Sequence, residues 1–320
     1  MSFFNVSYGI DIEARGASFP KAVYAEWMKI YEEETGVKIN YEPSGSGDGI
    51  ISAVKRKADF SGTDKPLQSW RLKRYNLSMF PAIVGSIVLA YNIPGVKDNE
   101  LKLSERSIAS IFSGKVKFWD DPLIAQDNKH LNLPHEPINV VVRSDGSGTT
   151  YNFTYYLRKI DYKNFKKADK EFDWKAKTLL AKGGSGMALK IAETAYSIGY
   201  IDFSTKNKYA LAAATIQNKD GKWVIPTLHS ATNGAKNAKL NKDDDFYGII
   251  AYPEGKSSYP LIATSFILIP DETHEKNKEI IKFFDWAFSN GEYIANKHGF
   301  AMLPENTIQE IKAYWKEKVL

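Results

Sequence analysis

The sequence predicts an α/β protein of two domains, each built on a mostly parallel sheet. Two observations lead there. At 320 residues the chain exceeds what one hydrophobic core comfortably serves, so two domains of about 150 residues with a cleft between them are expected. Along it, short apolar or alternating runs of strand character are separated by segments of helical period. The strands are read at Val37, Ile39 and Tyr41, in the short stretch Ala58 to Phe60, and in the runs 82–93, 138–142, 198–201 and 262–269. The helices are read at 20–35, with Pro20 suited to the first turn and Gly36 to the position after the last, then at 105–113, 277–297 and 306–318.

Composition narrows the class. The chain is 43% hydrophobic and 25% charged, as for an ordinary globular protein, and no low-complexity tract interrupts it. The longest apolar run, 82–93, contains Gly85, Ser86 and Asn92 and is too short and polar to span a bilayer as a helix. Net charge is +5 with the basic residues scattered, which argues against a nucleic-acid surface and gives a mild bias toward small anions. Cysteine is absent, so disulfides, thiolate metal sites and cysteine nucleophiles are excluded. The start, Met1 to Asn5, carries no basic region followed by an apolar one, so the protein is either cytosolic or has had an export signal replaced by Met1.

Three short segments rich in Gly, Ser and Thr each follow a strand and open a helix: Gly16-Ala17-Ser18-Phe19-Pro20, Ser44-Gly45-Ser46-Gly47-Asp48-Gly49, and Arg143-Ser144-Asp145-Gly146-Ser147-Gly148-Thr149-Thr150. Any one reads equally as a plain helix cap. Three ends converging on one cleft would instead present backbone N–H groups and hydroxyls to an anion. Arg143 would add a permanent bidentate cation and Asp145 would orient it, unless the two are an ordinary surface pair. Neither glycine loop fits the GxGxxG or GxxxxGK[ST] nucleotide patterns. Asp64, in Ser61-Gly62-Thr63-Asp64-Lys65-Pro66, is a turn residue or else the carboxylate of the cleft. Among anion-binding loops a carboxylate makes sense if the ligand has a proton to donate. Monohydrogen phosphate has one and sulfate does not, so an acceptor-only group would favour the first and repel the second.

These residues resemble the substrate-binding protein of the bacterial phosphate-specific ABC importer. The similarity runs over nearly the whole chain, through Gly16 to Pro20, the loop at 44–49, Ser61 to Leu67, Asn92 to Gly95, Gly114 to Asp121, Arg143 to Thr149, Ser197 to Tyr200, Thr264 to Ile269 and Lys282 to Ala287. It implies a two-lobed periplasmic-binding-protein-like fold, with lobe one formed by 1–89 and 264–320, lobe two by 90–263, and crossings in the runs Gly85 to Asn92 and Ile262 to Ile269. It implies phosphate contacts from Ser18, Phe19, Ser46, Asp64, Arg143, Ser147, Gly148 and Thr149, with Asp145 behind Arg143, and no cofactor or metal. It further implies a monomer that works outside the cytoplasmic membrane and docks on the permease subunits of the importer. Ser18 stands where this family often has Thr, and keeps the hydroxyl. Asp48 departs from the family's Ser/Gly loop; it is read as the cap of a helix at 50–57 rather than as a group that repels the anion. Gly183-Gly184-Ser185-Gly186 is read as a structural helix opening.

Two rival functions are weighed against this. A phosphoester hydrolase with Ser147 or Thr149 as nucleophile lacks a base, since His130, His135, His229, His274 and His298 show no motif link to the loops and no HExxH spacing. A receptor for sulfate, molybdate or another oxyanion is disfavoured by Asp64. Tyr151, Phe153, Tyr155 and Tyr156 after the third loop sit near helical spacing and read as core rather than as a stacking platform for bases or sugars.

Overall fold

The computed structural model describes residues 11–236, 240–272 and 274–320, with His274 described by its backbone alone. The stretch Met1 to Asn5, read above for an export signal, lies outside them. β1 (Ile12–Gly16) turns at Gly16 to Pro20 into α1 (Lys21–Thr35), which ends on Gly36 at φ 77°, a left-handed position glycine adopts without strain. β2 (Ile39–Glu42) leads into α2 (Ser46–Val54), and β3 (Phe60–Thr63) into the turn carrying Asp64 and then α3 (Ser69–Tyr75). β4 (Leu77–Asn92) is a single strand of 16 residues, buried almost throughout. Past it, β5 (Lys102–Leu103), α4 (Glu105–Phe112) and α5 (Pro122–Ala125) precede β6 (Asn139–Arg143) and α6 (Gly148–Ile160). β7 (Thr178–Ala181), α7 (Gly183–Glu193), β8 (Ser197–Asp202) and α8 (Phe203–Lys208) follow. β9 (Ala212–Ala213), β10 (Thr215–Gln217), β11 (Trp223–Val224) and α9 (Leu228–Ala235) lead to β12 (Ile262–Pro270). The chain closes with α10 (His274–Asn290), α11 (Glu292–Lys297), β13 (Phe300–Ala301) and α12 (Glu305–Lys318).

One sheet runs through the molecule in the order β2-β1-β3-β12-β4-β8-β6-β7, with β13 and β9 pairing on β4. At each end strands and helices alternate and the strands are parallel, β2-β1-β3 on one side and β8-β6-β7 on the other. Between them β12 and β4 lie antiparallel to each other and to their neighbours, so the sheet as a whole is mixed. β4 is shared by both ends: residues 77–86 pair with β12, and from Ile87 the strand pairs with β8. At the changeover Ile87 N donates to Leu261 O at 2.8 Å, immediately before β12 begins. A small three-stranded sheet, β11-β10-β5, lies apart from the main one.

Four elements differ from the sequence reading, the first being the strand read at Ala58 to Phe60, which runs as β3 from Phe60 to Thr63. β4 starts five residues earlier than the apolar run at 82–93 suggests, because Pro81 reads as a break; in the fold it pairs with Phe266 where the β12 register shifts, an irregularity that tolerates a residue with no N–H. The helix read at 277–297 is two, α10 and α11, separated at Gly291, whose carbonyl accepts from Trp27 Nε1 at 2.9 Å. The helix read at 50–57 begins at Ser46 and ends at Val54. Tyr151, Phe153 and Tyr156 of α6 are buried in the core, and Tyr155 is half-buried.

Candidate functional site

The three loops flagged in the sequence meet at the carboxyl ends of the parallel strands, where an α/β sheet leaves a crevice. Gly16, at the end of β1, accepts from Gly45 N at 2.6 Å, and Ala17 N donates to Gly62 O of β3 at 2.9 Å. These bonds hold the first two loops and the Asp64 turn against one another. The third loop follows β6 on the opposite end of the sheet, yet Gly47 N donates across to Gly146 O at 2.8 Å, and Asn152 Nδ2 of α6 donates to Asp64 O at 2.7 Å. The two ends of the sheet are therefore closed on each other.

Donors gather where they meet. Ser147 caps α6, its hydroxyl accepting from Thr150 N at 3.1 Å, which leaves the preceding Gly148 and Thr149 N–H groups without an acceptor among the described residues. The Ser18 and Phe19 N–H groups, in the turn before α1, likewise donate to nothing among them. Helix ends leave such donors by construction, and a dipole points positive at each. Arg143 is buried at the end of β6, its Nε donating to Asp145 Oδ1 at 2.6 Å and its Nη2 to Asp145 Oδ2. Burial raises the Asp145 carboxyl, but Arg143 more than offsets it and holds the group below the usual carboxylate range. Gly183 N, at the start of α7, donates to Asp145 Oδ1 at 3.0 Å, so the Gly183 to Gly186 segment anchors the Arg143 partner.

Asp64 is 2% exposed. Its Oδ2 accepts from Ser46 Oγ at 3.2 Å, and that same Ser46 oxygen accepts from Asp64 N at 3.0 Å. Burial pushes the carboxyl up to about 7, while the Ser265 and Ser46 hydroxyls and the Arg143 charge pull against it and buried Asp202 adds to the rise. Ser265 faces the carboxylate without a formed hydrogen bond, and Asp64 Oδ1 has no partner among the described residues. Gly148 comes closest from the other side. A Cβ there would stand 2.6 Å from Asp64 Cβ and 2.7 Å from its Oδ2, and nearer still to Ser46 Oγ, so only glycine fits the closed arrangement.

Ser46, Asp64, Arg143, Asp145 and Gly148 are thus brought together directly, with Ser147 and Thr149 beside Gly148 on α6. Ser18 lines an adjoining cavity of about 220 Å³ with Lys21, Lys182, Gly184 and Ser185, where Lys21 Nζ donates to Ser185 Oγ at 3.1 Å. A larger cavity of about 540 Å³ opens beyond Lys21 between α1, β2 and α8, lined by Phe19, Met28, Asp202 and Thr205 among others. Asp48 is corrected: it lies inside α2, pairs with Arg15 Nε at 2.9 Å and accepts from Ser44 Oγ at 2.6 Å, so it neither caps the helix nor faces Asp64. The sequence reading missed Asn152, Tyr200 and Ser265. Tyr200 accepts from Arg143 N at 3.2 Å and shares a 2.7 Å hydrogen bond with Thr150 Oγ1.

Catalytic parts are not gathered here. Among the described side chains, His130 meets Glu100 O, His135 meets Asp120, His229 meets Asn233 and His298 meets Glu26, and none bonds Ser147 or Thr149. Among the described residues, no group of three or more acidic or histidine side chains could hold a metal ion and no helix is long and apolar enough to cross a membrane.

Residues 7–291 match the model of the PBP superfamily domain. The chain is 40% identical over 312 residues to the phosphate-binding protein PstS of Pasteurella multocida, covering 96% of this chain and 90% of that one. A high-affinity periplasmic phosphate-binding protein solved with phosphate superposes with a TM-score of 0.79 at 18% identity, over 95% of this chain and 93% of the other. An ABC-type phosphate transport receptor from Vibrio cholerae superposes with a TM-score of 0.57 at 18% identity, over 91% and 99%.

Proposed function

The chain belongs to the PBP superfamily and, within it, to the phosphate-binding proteins named PstS, and from that membership we propose that it binds inorganic phosphate in its cleft and hands it to an ABC-type membrane importer, catalysing nothing. The observation that carries the reading is the meeting of unsatisfied donors from both ends of the sheet around one buried guanidinium and one buried carboxylate. Ser18 and Phe19 N–H, Ser46, Asp64, Arg143, Ser147, Gly148 and Thr149 are the proposed ligand residues, with Asp145 holding Arg143.

The lobes would be 1–89 with 264–320 and 90–263, divided where β4 exchanges β12 for β8. Ser18, Phe19, Ser46 and Asp64 belong to the first, and Arg143 to Thr149 to the second, so only closure completes the site. A ligand that contacts both lobes in that form alone stabilises it by its differential binding. Charge-assisted hydrogen bonds each contribute about 1.5–3 kcal/mol, and a handful of them, less ordering and desolvation, supports a Kd of ~1 μM or tighter. The role would be exercised outside the cytoplasmic membrane, with the rim of the closed cleft presented to the permease subunits.

Titration calorimetry of the phosphate-stripped protein with phosphate and then sulfate tests the reading. Saturable 1:1 binding of phosphate with sulfate excluded is expected. Binding of sulfate in its place would move the protein to another oxyanion, and binding of neither would overturn the proposal.

A further inference from the structure

Behind Asp64 lies a buried polar cluster that ligand contact alone does not explain. Tyr24 Oη, Ser265 Oγ and Asp64 Oδ1 are each shut off from solvent, and none has a hydrogen-bond partner among the described residues. They arrive from three elements, α1, β12 and the turn after β3. Orphaned buried polar atoms are costly and uncommon, so three in one place call for a reason.

Strand pairing puts Ser265 and Asp64 together. β12 pairs with β3 through Phe266 and Thr63, each one residue from Ser265 and Asp64. The β4–β12 ladder carries its extra residue on β4, where Ala82 falls between Ile83 opposite Ser265 and Pro81 opposite Phe266, so β12 continues regularly and brings Ser265 beside the Asp64 turn. Ser265 is the first of the groups that oppose burial at Asp64, ahead of Ser46 and Arg143. Tyr24 in turn is influenced by Ser265 and Asp64, and burial holds its phenol protonated far above the ordinary range, so it remains a donor.

The other groups facing Asp64 are already engaged or have the wrong sign. Tyr41 of β2 donates to Ala17 O at 2.8 Å, Arg143 of β6 is committed to Asp145, and Ser46 of α2 is on Oδ2. Asp202 of β8 is a second buried carboxyl and disfavours the charge. Next along the chain, Lys65 pairs with Asp169 at 3.6 Å and lies over the Tyr151 ring. Ser265 and Tyr24 each keep a buried hydroxyl that has no hydrogen-bond partner among the described residues.

We infer that Ser265, backed by Tyr24, is a positioning residue for Asp64: Tyr24 donates to Ser265, Ser265 donates to Asp64 Oδ1, and the pair keeps the carboxylate in its ionised, accepting form. That form accepts a hydrogen bond from the P–OH of monohydrogen phosphate and repels sulfate, whereas a protonated Asp64 would donate to sulfate. The Tyr24–Ser265 pair therefore sets the preference between the two anions and the pH at which it fails. This rests on the phosphate-binding reading.

The test is calorimetric titration of phosphate and sulfate into the native protein, Ser265→Ala, Ser265→Thr and Tyr24→Phe, at about pH 6, 7 and 8. Loss of one hydrogen bond to the charged form predicts that Ser265→Ala cuts the preference for phosphate about tenfold near neutral pH. It should also move the midpoint of the pH dependence upward. Tyr24→Phe should act in the same direction and less, and Ser265→Thr should restore the native profile. Native preference and midpoint in both Ser265→Ala and Tyr24→Phe would overturn the inference and leave phosphate binding standing. So would an equal loss at every pH that Ser265→Thr does not repair, since that marks packing alone. Should Ser265→Ala not fold, Tyr24→Phe decides by the same criterion. A native protein that binds no phosphate is the separate result that overturns the reading beneath it.

Discussion

Replacing Gly148 with alanine should separate closure from folding. The backbone at 148 is not in the left-handed region, so alanine suits the first turn of α6 and leaves the second lobe unstrained. The obstruction lies wholly across the cleft: ordinary contact begins at 3.4 Å, while the new Cβ would stand 2.7 Å from Asp64 Oδ2, a shortfall of 3.4 less 2.7, or 0.7 Å, and greater against Ser46. Backing off by that amount stretches the 2.8 Å bond from Gly47 N to Gly146 O to 2.8 plus 0.7, or 3.5 Å, at the limit of a hydrogen bond. The 2.7 Å bond from Asn152 to Asp64 O suffers likewise. Two such bonds at about 1 kcal/mol each, with one ligand contact weakened, amount to about 3 kcal/mol, or roughly 100-fold in phosphate Kd. Calorimetry gives the affinity, small-angle scattering with and without phosphate shows whether the molecule still compacts, and the melting temperature of the phosphate-free protein should hold or rise slightly, as for Gly→Ala at a permissive position. Affinity within threefold of native, or a phosphate-free protein destabilised by more than about 1 kcal/mol, would refute the reasoning.

Further predictions follow from the same residues. Arg143→Ala removes the buried cation and leaves Asp145 with Gly183 N as its remaining polar contact, so affinity for every oxyanion should fall by several kcal/mol, about 100-fold or more; unchanged calorimetric affinity would remove Arg143 from the site. Asp64→Asn should relax the choice between phosphate and sulfate more than it weakens phosphate, because an amide donates to either anion; equal losses would argue otherwise. Asp64 also gives the phosphate-free closed protein a pH signature. Its folded value of about 7 lies above the unfolded 3.8, so the native state binds the extra proton between them and stability falls as pH rises through that window. Denaturant midpoints of native protein and Asp64→Asn, measured between about pH 4 and 8, should diverge in that direction to the extent that the phosphate-free protein is closed, and parallel curves would show that it does not keep Asp64 buried. Asp48→Ala breaks a partly exposed pair with Arg15 and should cost under about 1 kcal/mol with phosphate affinity unchanged; a marked gain in affinity would show that its charge reaches the ligand.

What was legible in the sequence was the chemistry that sits in short loops. Ser147-Gly148-Thr149 announces a helix start with spare donors, Arg143 and Asp145 are spaced for a bidentate pair, and Asp64 stands out as a carboxylate among anion-binding loops. Local spacing suffices for these because each motif makes its own geometry. Asp48 was misread for the complementary reason: its position suggested a cap, but its partner Arg15 comes from a separate element, β1. The same limit hid Ser265 and Tyr24. Ser265 sits in the apolar run of β12 and Tyr24 in the buried face of α1, where pattern assigns both to the core. Their hydroxyls acquire meaning only when the β12 register and the β3 turn place Asp64 beside them. Tyr200 and Asn152, which hold Arg143 and Asp64 from β8 and α6, were invisible for the same reason. Residues that touch a ligand lie in loops whose backbone must be unusual, so their signatures are local. Residues that tune those contacts lie in regular elements whose pattern reports only burial. Specificity in this fold is therefore to be sought one layer behind the loops, among buried polar side chains with no partner of their own.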